Sequence, residues 1–249
     1  MKTSYDPQFY SCYRDASHQS ALEVVPHILE LFHPKSVVDV GCGIGTWLKA
    51  FQDNGIKDLQ GVDGDYVQAD QFMIPGGRFL PKDLRKELRL DRTFDLAISL
   101  EVGEHLPASR AGSFVEDLTR CAPVVLFSAA IPYQRGTDHI NEQWPEYWAE
   151  KFAAQGYQAV DCVRDLVWAN RSVDYYYAQN LIAYVRKDVL DQFPAITEAA
   201  KRTNPQSLSR VHPEKWIYAH DPQHAGLRFV IQAIPHAIPK LFRKIFSIK

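Results

Sequence analysis

The sequence predicts a doubly wound α/β fold: a mainly parallel seven-stranded sheet with one antiparallel strand and helices on both faces. Three observations predict it. Residues 36–46 (SVVDVGCGIGT) carry a buried-strand run, Val37, Val38 and Val40, into glycines at 41, 43 and 45, and an amphipathic helical pattern of Trp47, Leu48 and Phe51 follows. Four further strand-like runs, 57–62, 78–80, 94–100 and 124–127, alternate with helical or turn-rich stretches, which makes five β-then-α units. Two last strands, 157–163 and about 173–186, read as a hairpin-like pair and place one strand antiparallel.

Residues 20–32 have a helical period that Pro26 interrupts and His33-Pro34 ends. The first crossover helix, 46–54, closes at Asn54-Gly55. Residues 64–77 are polar and end in Pro75-Gly76-Gly77, and Leu84–Leu88 read as a basic helical segment. A helix over 107–121 has Pro107 near its start, and a loop from Ala129 to Asn141 leads to an aromatic helix, 142–155, closed by Gly156. Tyr175, Tyr176 and Tyr177 are expected to alternate across the last strand. The α/β domain spans 1–186, and 187–249 forms a C-terminal helical extension.

Composition narrows the class. A chain of 249 residues that is 46% hydrophobic can bury one large core. A net charge of −2 gives no global field toward nucleic acid, and none is expected as a partner. Cys12, Cys42, Cys121 and Cys162 form no C-x-x-C pair and read as reduced thiols, not a disulfide frame or zinc site. The polar start resembles no signal peptide, and no run approaches the ~20 apolar residues of a membrane span. A cytoplasmic protein is expected. From Pro222 to Lys249 there is no acid, while five basic residues alternate with Leu241, Phe242, Ile245, Phe246 and Ile248. Residues 227–249 therefore read either as a segment for an anionic membrane surface, on its inner face, or as a docked helix.

The glycine turn defines a ligand. Thr46 stands where a dinucleotide fingerprint needs its third glycine. Asp39, inside the strand just before the turn, repels a pyrophosphate but suits a ligand carrying an ammonium there. Asp63 ends the second strand 22 residues after Gly41, where a carboxylate accepts ribose hydroxyls. A lone acid at either position is more often a turn or cap residue; two acids framing three glycines point to a nucleoside cofactor.

With VVDVGCGIGTW, GVDGD, Asp83-Leu84 and FDLAISLEVGEHL, residues 18–186 resemble the class I S-adenosylmethionine-dependent methyltransferases. SAAIPYQRGTDHINEQWPEYW is similar to a bacterial subgroup associated with polysaccharide and sugar O-methylation. The resemblance implies a Rossmann-like methyltransferase fold, S-adenosylmethionine as cofactor and S-adenosylhomocysteine as product. It implies Asp39, Gly41, Cys42, Gly43, Gly45 and Trp47 around the methionine end. Asp63 and Gly64 would hold the ribose, and Asp83 and Leu84 the adenine. Ser99, Leu100 and Glu101 would line the cleft. Arg135 departs from the glycine-rich loop expected of relatives.

Methyl transfer to a hydroxyl needs alignment, exclusion of water and a base. His139 is the first candidate for the base and His105 the second, since both follow strands at their C-terminal ends. Gln134, Asn141, Glu142 and Trp144 are candidates for holding the acceptor. Asp138, His139, Glu142 and Glu101 offer an alternative, a divalent cation that grips two substrate hydroxyls; their spacing is no recognisable metal motif, and no metal is assigned. Residues 10–19 are candidates for a lid over the cofactor. The expected function is O-methylation of a sugar hydroxyl in glycan or polysaccharide biosynthesis, on a small-molecule or glycan acceptor. The alternatives are another small-molecule, lipid or protein acceptor, and a cofactor-binding scaffold at the membrane without turnover.

Overall fold

The valine-rich runs form strands because they are buried on both faces, as a parallel sheet covered by helices demands. The computed structural model describes residues 7–67, 71–74 and 78–220, with side chains from residue 16 to residue 217 in those ranges. Its helices and strands are α1 (Pro7–Phe32), β1 (Ser36–Val40), α2 (Thr46–Asp53), β2 (Asp58–Asp63), β3 (Phe79–Pro81) and β4 (Leu96–Leu100). There follow α3 (Ala111–Cys121), β5 (Val124–Ser128), α4 (Pro145–Ala154), β6 (Tyr157–Val160) and α5 (Arg164–Val167). The last are α6 (Tyr175–Asn180), β7 (Ile182–Arg186), α7 (Pro194–Arg202) and α8 (Pro213–His220).

The sheet has seven strands in the order β3-β2-β1-β4-β5-β7-β6. β1 to β5 pair in parallel, and β7 alone runs antiparallel, between β5 and β6. The expected architecture therefore holds. Strand order reverses between β1 and β4, the position where open α/β sheets bind ligands. Successive residues of β1 enter different cores. Val37 packs with α1, α2 and α6, while Val38 and Val40 pack with α3 and α4.

Several local expectations are corrected. Pro26 does not interrupt α1, which runs continuously for 26 residues; Val24, Val25 and Ile28 are fully buried and hold it. Leu84–Leu88 are turns, not helix. Asp83 accepts the Arg85 N–H (3.1 Å), Asp117 accepts that of Leu88 (3.0 Å), and Arg110 takes the carbonyls of Leu84 (3.1 Å) and Lys86 (2.7 Å). Those backbone groups are thus spent on side chains rather than on a helical ladder. Among the described residues no helix links β2 to β3 or β3 to β4, so two of the five expected crossovers are irregular. The aromatic helix starts at Pro145, whose missing N–H suits a first turn.

The long strand expected at 173–186 is helix α6 followed by β7. Aromatic residues favour strands in general, but Tyr177 is fixed here by burial against Trp47 (centroids 5.0 Å apart) and by Ser17 (3.1 Å). One compact unit runs to His212 and a second begins at Pro213. The boundary expected at 186 falls inside the first unit, because Ile196, Ala199 and Ala200 of α7 are buried in its core.

Candidate active site

A cleft of about 1630 Å³ lies beyond the C-terminal ends of β1, β2 and β4. Its first wall is the glycine turn. Gly41 (φ 91°) leaves no room for a side chain, since a Cβ would meet Val102 at 2.3 Å. At Gly43 (φ 50°) a Cβ would meet nothing within 4 Å, so this backbone is bare toward open space. Asp63 ties the turn to β2. One carboxylate oxygen accepts the Gly43 N–H (2.7 Å), and the other accepts the Gly64 N–H (2.7 Å) and the Tyr66 hydroxyl.

Of the residues expected from the sequence, Asp39, Gly41, Cys42, Gly43, Trp47, Asp63, Gly64, Asp83, Leu84, Leu100, Glu101, His105, Gln134 and His139 line this one cleft. Five do not. Gly45 starts α2, packed where a Cβ would strike Phe72 at 2.8 Å. Ser99 is buried within β4 and donates to the Val40 carbonyl (2.8 Å). Asn141 is buried, with its backbone N–H on the Glu104 carbonyl (3.0 Å). Glu142 stands behind His139, and Trp144 is the exposed residue before α4.

The floor of the cleft concentrates acids. Burial pushes the Asp39 carboxyl well up, and neighbouring Asp63 adds to that. Asp63 is also raised by burial, despite its three hydrogen bonds. Asp83 is the exposed exception: a two-point pairing with Arg85 (2.8 and 3.1 Å) lowers it. A ligand with positive charge at the Asp39 end relieves this repulsion. Trp47, 4% exposed, has an indole N–H without a partner, which offers the cleft a donor. Bare glycine backbone, two buried carboxylates and this donor fit a nucleoside linked to a cationic amino acid.

The other end is built from β4 and the loop after β5. Glu101 follows β4 at φ 55°, a strained value for a non-glycine residue. Its two oxygens accept from Asn180 (3.0 Å) and Gln134 (2.7 Å). Glu104 is fully buried three residues on. The loop carries Tyr133, Arg135 and Asp138, all at positive φ, and brings His139 against His105, with ring centroids 4.9 Å apart at 88°. His139 Nδ1 engages Glu142 at 2.9 Å, and Glu142 also accepts the N–H groups of Tyr133 (2.7 Å) and Arg135 (2.6 Å). Burial, and then His139, lower the His105 pKa; burial, and then Glu101, raise that of Glu104.

The sequence reading missed three participants. Glu104 was passed over beside His105, although an acid at i+3 from Glu101 after a buried strand was the available signal. Tyr66 was hidden in a polar stretch. Asn180 sits on α6, which reads as strand. The three described thiols are held protonated by their environment: burial pushes Cys121 and Cys162 up to about 12, and Cys42 is also raised.

Comparison with known proteins agrees with this fold. The Oryza sativa subsp. japonica protein named "Probable tocopherol O-methyltransferase, chloroplastic" is 35% identical over 97 residues, 36% of this chain and 26% of that protein. The match thus spans about a quarter of the relative's length. Three solved structures share the fold at low identity. Streptomyces venezuelae DesVI is 14% identical (TM-score 0.54, 72% of this chain and 95% of that one). CalS10, an amino pentose methyltransferase from Micromonospora echinaspora, is 17% identical (0.54, 75% and 100%). KedS8, a sugar N-methyltransferase from Streptoalloteichus, is 14% identical (0.56, 75% and 97%). The family model described as a methyltransferase domain matches residues 14–179, so the chain belongs to the methyltransferase-domain family and its cofactor is S-adenosylmethionine.

Proposed function

We propose that the protein methylates a sugar hydroxyl in glycan or polysaccharide biosynthesis. The observation that carries this reading is the His139–Glu142 pair, 2.9 Å apart, set against His105 in the same cleft as the glycine turn. A sugar hydroxyl is a weak acid and needs such a group, whereas a stronger nucleophile does not. The acceptor oxygen bonds to the methyl carbon as the carbon–sulfur bond breaks, its electron pair staying on sulfur. The hydroxyl proton is lost at the His105–His139 pair, in the simplest case to His139. The products are a methyl ether and S-adenosylhomocysteine. In this reading Gln134, which lines the cleft, would face the acceptor and Asn141 and Glu142 would support its loop, while Trp144, outside the cleft, has an exposed ring.

The test is transfer from labelled cofactor to a panel of nucleotide sugars, oligosaccharides and lipid-linked sugars. His139→Ala should lower turnover by about 10²–10⁴-fold with cofactor affinity close to native. Near-native turnover in that variant would remove His139 from the mechanism. A second reading, methylation of an amino sugar, is favoured by Glu101 and Glu104, whose burial raises their pKa and fits them to take the proton that an ammonium loses before its nitrogen attacks. Paired acceptors differing only in hydroxyl or amine separate the two.

The acid-free tail, 227–249, lies outside the described residues. Its sequence supports peripheral attachment of a cytoplasmic enzyme to an anionic membrane surface, where lipid-linked glycan acceptors are made.

A further inference from the structure

Among the described residues Glu104, His105 and His139 each offer one ligand atom, and these atoms lie within 4.8 Å of one another. Two features of this group go beyond proximity. Both carboxylate oxygens of Glu104 are fully buried beside the Glu101 carboxyl, and neither meets a donor in good hydrogen-bond geometry, the nearest being the backbone N–H groups of Glu104 and Ala130. A buried carboxylate so weakly satisfied is unfavourable, and native proteins rarely keep one unless something else compensates it. The second feature concerns the imidazoles. His139 has Nδ1 on Glu142, and His105 gives one ring N–H to the Asp138 backbone carbonyl. Each ring is thus oriented through one nitrogen and keeps the other lone pair available. Imidazole that ligates a metal is held in this way, by a carboxylate or carbonyl behind it.

The backbone is arranged around the same point. The N–H groups of Ile140 (2.9 Å) and Asn141 (3.0 Å) both donate to the Glu104 carbonyl, which clamps the loop carrying His139 onto the turn carrying His105. Asp138 takes positive φ (58°) in that loop. Strain of this kind persists where the surroundings over-determine a geometry.

We propose that Glu104, His105 and His139 bind a divalent first-row transition ion at the acceptor end of the cleft. Two imidazoles and one carboxylate suit manganese, cobalt, nickel or zinc better than magnesium or calcium, which prefer all-oxygen shells. Three protein ligands leave positions open. The inference rests on the reading of this cleft as the site of transfer to a hydroxyl, and it refines how that hydroxyl is activated. Its oxygen would occupy an open position, where the ion favours loss of the proton to solvent, and His139 would hold the ion instead of receiving the proton.

The experiment strips the full chain with EDTA and titrates it with Mn²⁺, Zn²⁺, Co²⁺ and Mg²⁺ by calorimetry, reading Co²⁺ also by its visible absorption. One transition ion per chain should bind, more tightly than Mg²⁺, with cobalt bands of a nitrogen–oxygen site. Glu104→Gln, His105→Asn and His139→Asn should each weaken binding at least tenfold while the circular dichroism spectrum and cofactor affinity stay native. If stripped protein binds none of the transition ions, or all three variants bind like the parent, the inference is overturned. EDTA-insensitive methylation by a protein that binds no ion would leave the proposed function standing with His139 as a free base. Ion binding without transfer to any hydroxyl would sink the proposed function and leave the metal site.

Discussion

Asp39 shows how one residue serves function at the expense of the empty fold. Its carboxyl is 3% exposed and raised by burial, then by Asp63. The folded chain therefore binds this proton more tightly than the unfolded chain does. The sign follows: Asp39 contributes stability below its unfolded pKa, and that contribution is lost as pH rises through its folded pKa. At neutral pH the charged form is a burden until a cationic ligand arrives. Asp39→Asn should raise the melting temperature of the cofactor-free protein at pH 7, by about 2–4 °C for each kcal/mol of repulsion removed. It should also weaken cofactor binding, so that saturating S-adenosylmethionine shifts the melting temperature less than in the parent. A variant that melts lower when empty and shifts as much when loaded would show Asp39 to be structural only.

At the scale of elements the loop between β5 and α4 decides how well the acceptor end is organised. A Cβ at Gly136 would fall 2.2 Å from His139 Nε2. Gly136→Ala should therefore displace the imidazole and lower turnover in the same direction as His139→Ala, by a smaller factor, with cofactor affinity unchanged. Initial rates and calorimetry on this variant check it; native turnover would show that the ring has room to move.

The same contrast explains what was legible in the sequence. β1 and its glycine turn were, because a buried strand and positive-φ glycines are dictated locally. Asp39 and Asp63 were placed in the cleft for the same reason, and Glu101 through the family resemblance. The three tyrosines 175–177 misled, since their helix is set by Ser17 and Trp47 from distant parts of the chain. Glu104 was missed because its isolation exists only once the loop from Tyr133 to Glu142 folds back over it.

The chain divides into one large unit, ending at His212, and a second that begins at Pro213. Among the described residues no helix is long and apolar enough to cross a membrane. α8 carries exposed Trp216 and Ile217, and the tail beyond it has five basic residues and no acid. Each basic residue near an anionic surface contributes about 1 kcal/mol. Pro235 and Pro239 confine any continuous helix to the last ten or so residues, which limits the gain. Ending the chain after Gly226 should abolish co-sedimentation with anionic vesicles at low salt and leave cofactor binding intact. A full-length chain that ignores such vesicles would assign the tail to another partner.

The position of β7 bears on how the chain is made. It is the last of the described strands to be synthesised, yet it lies inside the sheet, between β5 and β6. A nascent chain that has emerged only through β6 exposes an unpaired edge on β5, the kind of edge that recruits other chains. Asn180, which steadies Glu101, and Tyr177, which lines the cleft, emerge just ahead of that strand. A fragment on the ribosome that ends before α6 lacks the Tyr175, Tyr176 and Tyr177 wall of the cleft, so the last lining residues are supplied late, just before the strand that closes the sheet.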